Sequence, residues 1–152
     1  MDKNVNTENM LNDLLEKSYD AQRGYADAST NTDNVHLKRW LTQQGVRRTQ
    51  FAAQLGGQMK QMNLEPKNDG SMTGDLHRGW LNLKTALSLN SDEAILEEAL
   101  RGEQATLDEY NEVLQHKKEL PPSTVEIIQN QWAQVQETVN TIKRLEDIAE
   151  EK

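Results

Sequence analysis

Few residue types in this 152-residue chain could bind a metal ion or attack a substrate. The sequence contains three histidines, His36, His77 and His116, and no cysteine. Without thiolates, a metal ion would have to bind carboxylates and imidazoles, and cysteine nucleophiles are excluded. The chain also lacks a Glu-x-x-His pair, a Gly-x-Ser-x-Gly motif and a glycine-rich phosphate loop. These absences predict no catalytic residues, no cofactor-binding residues and no metal ligands.

Two charged residues nevertheless fall on apolar helix faces. Arg48 lies in register with Leu41 and Phe51, and Glu103 lies between Ala99 and Thr106 on another apolar face. Because an unpaired buried charge is costly, we expect the two to pair. The hypothesis is an interior polar cluster formed by Arg48, Glu103, Gln22, Gln44 and Gln136. In the alternative, Arg48 extends to the surface and Glu103 is solvated or bonded to Tyr110.

Helices must position these residues, because apolar residues recur three or four positions apart along nearly the whole chain. The pattern predicts an all-α protein with long helices over 6–30, 34–62, 91–116 and 121–149 and a short helix over 71–88. Asp33 is the predicted N-cap of the second helix. On the first helix, the side chains predicted to lie opposite the apolar face are Asp13, Glu16, Asp20 and Asp27.

The lengths of the connections predict the topology. Short turns join the first two and the last two long helices, which should therefore be antiparallel neighbours. About 28 residues separate Met62 from Ser91, enough to return along the length of the bundle with Trp80 packing the short helix onto it. One long crossover of this kind is the ferritin-like arrangement, in a single domain covering 1–152. A simple up-down bundle with the short helix as an appendage is the alternative.

Four segments resemble a bacterial ferritin-like family of unassigned function. They are residues 20–25 (DAQRGY), 48–55 (RTQFAAQL), 74–80 (GDLHRGW) and 101–103 (RGE). The resemblance covers roughly residues 11–145, and its most specific part is the crossover motif that contains His77, Arg78 and Trp80. It implies a ferritin-like four-helix bundle and no particular activity.

The ligand pattern of a di-iron bundle can be compared with the chain position by position. Such a centre takes one Glu from each of two helices and Glu-x-x-His from each of the other two. Gln22 stands where the resemblance leads us to expect Glu, and Arg48 and Phe51 occupy the positions of a Glu-x-x-His pair. On the last helix Gln136 and Val139 replace the acid and the imidazole. Glu103 is the one ligand that remains, so we expect no metal centre, with iron as the alternative cofactor.

Composition excludes several kinds of partner. The chain has 17 basic and 25 acidic residues, for a net charge of −8, and no basic run. Such a chain would repel nucleic acid and anionic lipid. No apolar stretch is long enough to cross a bilayer, and the first residues do not resemble a signal peptide, so we expect a cytoplasmic protein.

Three functional classes are compatible with these features. The first is a non-enzymatic structural or interaction protein that forms a homo-oligomer or binds a protein partner through a helix face. The second is an iron-binding or di-iron oxidase-type protein, and the third is a binder of small molecules. We favour the first, because the second depends on architecture and Glu103 alone.

Overall fold

The computed structural model describes residues 3–67, 80, 83–89 and 91–150. Within these ranges the secondary structure is entirely helical. Helix α1 spans Lys3–Ser29, α2 Val35–Gln61, α3 Leu83–Ser88, α4 Asp92–Leu114 and α5 Pro122–Glu150, with a 3₁₀ turn at Lys117–Glu119. The sequence-based prediction of an all-α chain is therefore confirmed.

Local capping fixes the helix ends. The N-cap of α2 is Asn34, whose side chain accepts hydrogen bonds from the amides of His36 and Leu37, so the prediction of Asp33 as the cap was wrong by one residue. At the other end of α2, Asn63 adopts φ 60° and Leu64 donates its amide to the Met59 carbonyl. This is the left-handed termination that closes many helices.

The predicted short helix over 71–88 is corrected at Trp80, which lies in a turn. The helical residues that the structure describes in this range are Leu83–Ser88. The predicted helical residues 71–79, 81 and 82 lie outside the described part of the chain.

Hydrogen bonds between the ends of the helices define the topology. Thr32, in the turn between α1 and α2, donates to Asp92 at the start of α4 (2.7 Å). At the opposite end, Thr124 at the start of α5 donates to Gln58 near the end of α2 (2.8 Å). Helix α2 therefore ends at the far side of the bundle from the point where α4 begins. The connection between α2 and α4, which we call the crossover, joins opposite ends of the bundle.

The first part of the crossover lies along α1. Asn12 donates to the Glu65 carbonyl (3.1 Å) and accepts from the Lys67 amide (2.9 Å), and Lys67 forms an ion pair with Glu16. These contacts cover a face of α1 that the sequence pattern assigned to solvent. Glu16 and Asp20 are buried, which corrects their predicted exposure, whereas Asp13 and Asp27 are exposed.

Trp80 is where the crossover meets two long helices. Its indole packs against Gly24 of α1 and Gly102 of α4, and a Cβ atom on either glycine would lie 2.5 Å from the ring. Trp80 is 7% exposed and belongs to the apolar cluster that contains Tyr25, Leu41 and Ala99. The two glycines thus provide the space in which the crossover is anchored.

Two apolar clusters fill the bundle, one at each end. One cluster, nearer the C-terminal end of α2, contains Leu11, Phe51 and Ile128. The other contains Tyr25, Leu41 and Ile95. None of the helices in the described part of the chain has an apolar stretch that could span a membrane.

Candidate functional site

The charged residues predicted to pair do meet, at the centre of the bundle. Helix α2 contacts α1 and α5, and α4 contacts α1 and α5, so α2 and α4 lie on a diagonal. Arg48 of α2 reaches across this diagonal and donates Nη1 to Oε1 of Glu103 (2.8 Å) and Nη2 to Oε2. Arg48 is 1% exposed and Glu103 is fully buried. Such a two-pronged arrangement is the strongest form of ion pair between these groups.

Tyr25 of α1 completes the cluster. Its hydroxyl donates to Oε2 of Glu103 (2.6 Å), so this oxygen accepts from two side chains. The sequence-based alternative, in which Glu103 is solvated or bonds to Tyr110, does not describe this geometry. Tyr110 instead donates to Gln131 (2.6 Å). We call Arg48, Glu103 and Tyr25 the charge cluster.

Aromatic rings enclose the guanidinium of Arg48. Its Cζ lies 5.3 Å from the centroid of the Phe51 ring and 5.9 Å from that of Tyr25. Burial lowers the pKa of Arg48 and is the largest single cause, but the charge and hydrogen bonds of Glu103, with smaller contributions from Tyr25 and Tyr110, together outweigh burial, and the pKa of Arg48 is raised. Arg48 is therefore a fixed cation in the interior. Its Nε is buried without a hydrogen-bond partner among the described residues.

The cluster makes stability sensitive to alkaline pH. Burial, and next the negative charge of Glu103, raise the pKa of Tyr25 well above its usual value, and burial also raises the pKa of Tyr110. A tyrosine whose pKa is higher in the folded chain stabilises the fold fully below pH about 10, and that contribution falls as pH rises above the unfolded pKa.

We therefore expect the tyrosinate absorbance of Tyr25 and Tyr110 to appear together with unfolding, in a titration monitored at 295 nm and by circular dichroism. Tyr25→Phe should make the free energy of unfolding less dependent on pH above pH 10. Ionisation of all three tyrosines in a chain that remains folded would contradict the burial of this hydroxyl.

Three glutamines were placed in the same cluster by sequence reasoning, and the structure separates them from it. Gln44 is buried and accepts from Thr138 of α5 (3.3 Å). Gln136 is half-buried and donates to Asn140 (3.4 Å), and Gln22 is also half-buried. Among the described residues, the hydrogen-bond partners of Arg48 and Glu103 do not include these amides. The interior polar cluster is therefore smaller than predicted.

Polar side chains also connect α2 and α5, and the assignment of glutamines to the charge cluster did not predict these contacts. Gln131 is fully buried, donates to Gln54 (2.8 Å) and accepts from Tyr110. With the contacts of Gln44 to Thr138 and of Gln58 to Thr124, amides and hydroxyls link the two helices along their length. Glutamines along one helix are typical of a solvated face. Only the polar residues spaced along α5 could have suggested that these glutamines bond to another helix.

Of the remaining candidate residues that the structure describes, Trp80 lies beside the charge cluster and the two histidines do not. His36 and His116 are exposed, and His116 lies 3.3 Å from Glu119. His77 and Arg78 of the crossover motif lie outside the described residues, while Trp80 packs beside Tyr25. In the described ranges, no group of three His, Asp or Glu side chains is arranged to hold a metal ion.

Comparison with known proteins shows which family contains these residues. The model of the family described as a domain of unknown function (DUF2383) matches residues 6–116. The matched range contains all three members of the charge cluster and the whole crossover. No curated protein matches the chain.

Proposed function

The chain belongs to the DUF2383 family, and we propose that it is a bacterial, non-enzymatic interaction protein of ferritin-like fold, in which an ion pair takes the place of a di-iron centre. The observation that carries this proposal is the contact between Arg48 and Glu103. A bacterial source follows from the resemblance alone.

The topology supports a ferritin-like fold. Two helical hairpins, α1 with α2 and α4 with α5, are joined by a connection between opposite ends of the bundle. Ferritin-like bundles have one long crossover of this kind, and simple up-down bundles have none. Fold alone implies no activity, so function has to be argued from the centre of the bundle.

The chemistry of the centre is unfavourable for two metal cations. Both oxygens of Glu103 accept hydrogen bonds from a guanidinium that remains charged, so a metal would have to displace Arg48 inside a buried site. Gln136 and Val139, at the positions compared with a metal-binding pair, supply no carboxylate and no imidazole. Several carboxylates are needed to neutralise a di-iron centre, and the charge cluster contains one.

Anaerobic loading with Fe(II) tests this part of the proposal. After desalting, we expect elemental analysis to find well under about one iron per chain, and no ferroxidase turnover above buffer, while a ferritin loaded in parallel fills. Glu103→Ala should leave the iron content unchanged. About two irons per chain, lost in Glu103→Ala, would overturn the proposal and favour a di-iron oxidase-type protein.

The distribution of charge supports association between chains. Helix α2 contains five Lys and Arg residues, one of them buried, and no Asp or Glu, whereas α4 contains eight Asp and Glu residues, two of them buried, and one Arg. Lys38 and Arg39 are exposed on α2, and Glu97 and Asp108 are exposed on α4. Because α2 and α4 lie on a diagonal, the basic and acidic surfaces face in opposite directions. The partner we propose is a second copy, bound with its acidic α4 surface against the basic α2 surface.

Ionic strength provides the test of this association. We expect light scattering after gel filtration to find oligomers at low salt that dissociate as screening increases. Neutralising α2 with Lys38→Gln, Arg39→Gln and Arg47→Gln should abolish them, while Lys143→Gln and Arg144→Gln on α5 serve as the matched control. A monomer at low salt, or equal loss in both variants, would contradict a charge-directed contact between copies.

A further inference from the structure

Trp80 occupies a slot that two helices leave open by carrying glycine. A Cβ atom at Gly24 would lie 2.5 Å from Cε3 of the indole, and one at Gly102 would lie 2.5 Å from Nε1. The two glycines belong to different helices and face opposite parts of the same ring. The space between α1 and α4 is thus shaped for a flat bicyclic ring.

An aromatic floor and the charge cluster lie beneath the ring. The centroid of the Tyr25 ring is 4.9 Å from that of Trp80, with an angle of 72° between the planes, an edge-to-face geometry that stabilises aromatic pairs. The Tyr25 hydroxyl donates to Glu103 on the far side. Trp80 therefore contacts the charge cluster through the Tyr25 ring.

One edge of the indole does not suit the slot. Trp80 is 7% exposed, and its Nε1 is buried without a hydrogen-bond acceptor among the described residues. A buried N–H without an acceptor loses its hydration without compensation. A ring of the same shape with no donor at this edge would avoid that loss.

We propose that the slot between Gly24 and Gly102 is a binding site for one planar bicyclic aromatic ring without a hydrogen-bond donor at the Gly102 edge. In the free protein, Trp80 is its intramolecular occupant. An external ring that displaces Trp80 takes its place between the two glycines and against Tyr25. The inference does not depend on the proposed function, because it concerns a different surface of Tyr25 and requires neither metal exclusion nor association.

The vacated slot provides the first test. Trp80→Ala should bind benzothiophene, which has the shape of indole with sulfur in place of N–H, at least about fivefold more tightly than indole. Calorimetry measures both affinities. Adding Gly24→Ala to Trp80→Ala should abolish binding, whereas adding Gly57→Ala, where a Cβ meets nothing within 4 Å, should not. A folded Trp80→Ala chain that binds neither ring would overturn the proposal.

Trp40→Ala is the matched control, because it tests whether a cavity left by another tryptophan also binds the ring. Trp40 also lies edge-to-face with Tyr25, at 6.0 Å between centroids, but it is half-buried and is not held between glycines. We expect no saturable binding to this variant. If Trp80→Ala is unfolded alone, benzothiophene should restore its helical circular dichroism, and failure to do so would count against the site.

Displacement of Trp80 in the intact slot is the second test. In a chain with Trp40→Phe and Trp132→Phe, 5-fluorotryptophan labels position 80 alone, since the sequence has three tryptophans. Titration with benzothiophene should move the ¹⁹F resonance of Trp80 from its buried position to that of an exposed tryptophan. A resonance that stays unchanged up to the solubility limit of benzothiophene would show that Trp80 is a fixed core residue. It would contradict the displacement of Trp80 by an external ring.

Discussion

Removing either member of the Arg48–Glu103 pair is expected to lower the free energy of unfolding by about 3 to 5 kcal/mol, because the partner is left as a buried, uncompensated charge. Arg48→Met and Glu103→Leu are the single changes, and urea unfolding is the measurement. The double variant should recover most of the loss, because it buries no charge at all. A residual deficit of about 1 kcal/mol is expected, since Tyr25 then lacks its acceptor.

Non-additivity is the decisive feature of this cycle. Contacting residues show coupling energies, whereas distant residues add. Arg47→Met, at the half-buried neighbouring position on α2, should change the free energy of unfolding by less than about 0.5 kcal/mol. If the two single losses simply add in the double variant, Arg48 and Glu103 do not form one buried unit.

Trp80→Ala is expected to destabilise the protein by about 3 to 5 kcal/mol, the usual cost of truncating a buried tryptophan. The ring contacts α1 and α4 and lies against Tyr25, so its loss opens a cavity beside the charge cluster. Thermal unfolding monitored by circular dichroism should show a markedly lower Tm. A Tm within a few degrees of the wild type would mean that the crossover is not anchored by this residue.

Substitution of Gly24 tests the packing of Trp80 independently. Gly24→Ala should lower the free energy of unfolding by about 1 to 3 kcal/mol, because the new Cβ collides with the Trp80 ring. Gly57→Ala is the control within a helix, and it should raise stability by up to about 1 kcal/mol because alanine is the better helix former and no neighbour is near. A stabilising Gly24→Ala would contradict the close packing of the indole.

Helical periodicity was sufficient to predict the four long helices and one long-range contact. Arg48 and Glu103 stand out in a single sequence because each interrupts an apolar face, and a charge there needs a partner. The same periodicity could not predict the partner of a neutral amide. Gln44 and Gln136 both lie near apolar faces, yet Gln44 pairs with Thr138 of α5, whereas Gln136 bonds to Asn140 of its own helix.

The hydropathy pattern could not predict that the crossover covers part of α1. An amphipathic helix shows one apolar face, and Glu16 and Asp20 lie opposite it, as expected for side chains in water. The crossover nevertheless covers that side, and the polar group that pairs with Glu16 comes from Lys67, 51 positions away. Gly24 and Gly102 are needed because the Trp80 ring packs closely against both backbones. The sequence does not show which side chain packs there.

We propose that an ion pair takes the place of the metal centre of a ferritin-like bundle, and NMR signals of the Arg48 guanidinium test this most directly. In a ¹H–¹⁵N spectrum at neutral pH, a guanidinium held by both oxygens of Glu103 should give separate, slowly exchanging Nη protons. The signals of half-buried Arg47 should be averaged. We expect the Arg48 signals to persist when Fe(II) or Zn(II) is added and to collapse in Glu103→Gln. Averaged Arg48 signals in the wild type, or their loss on stoichiometric addition of metal, would contradict the claim.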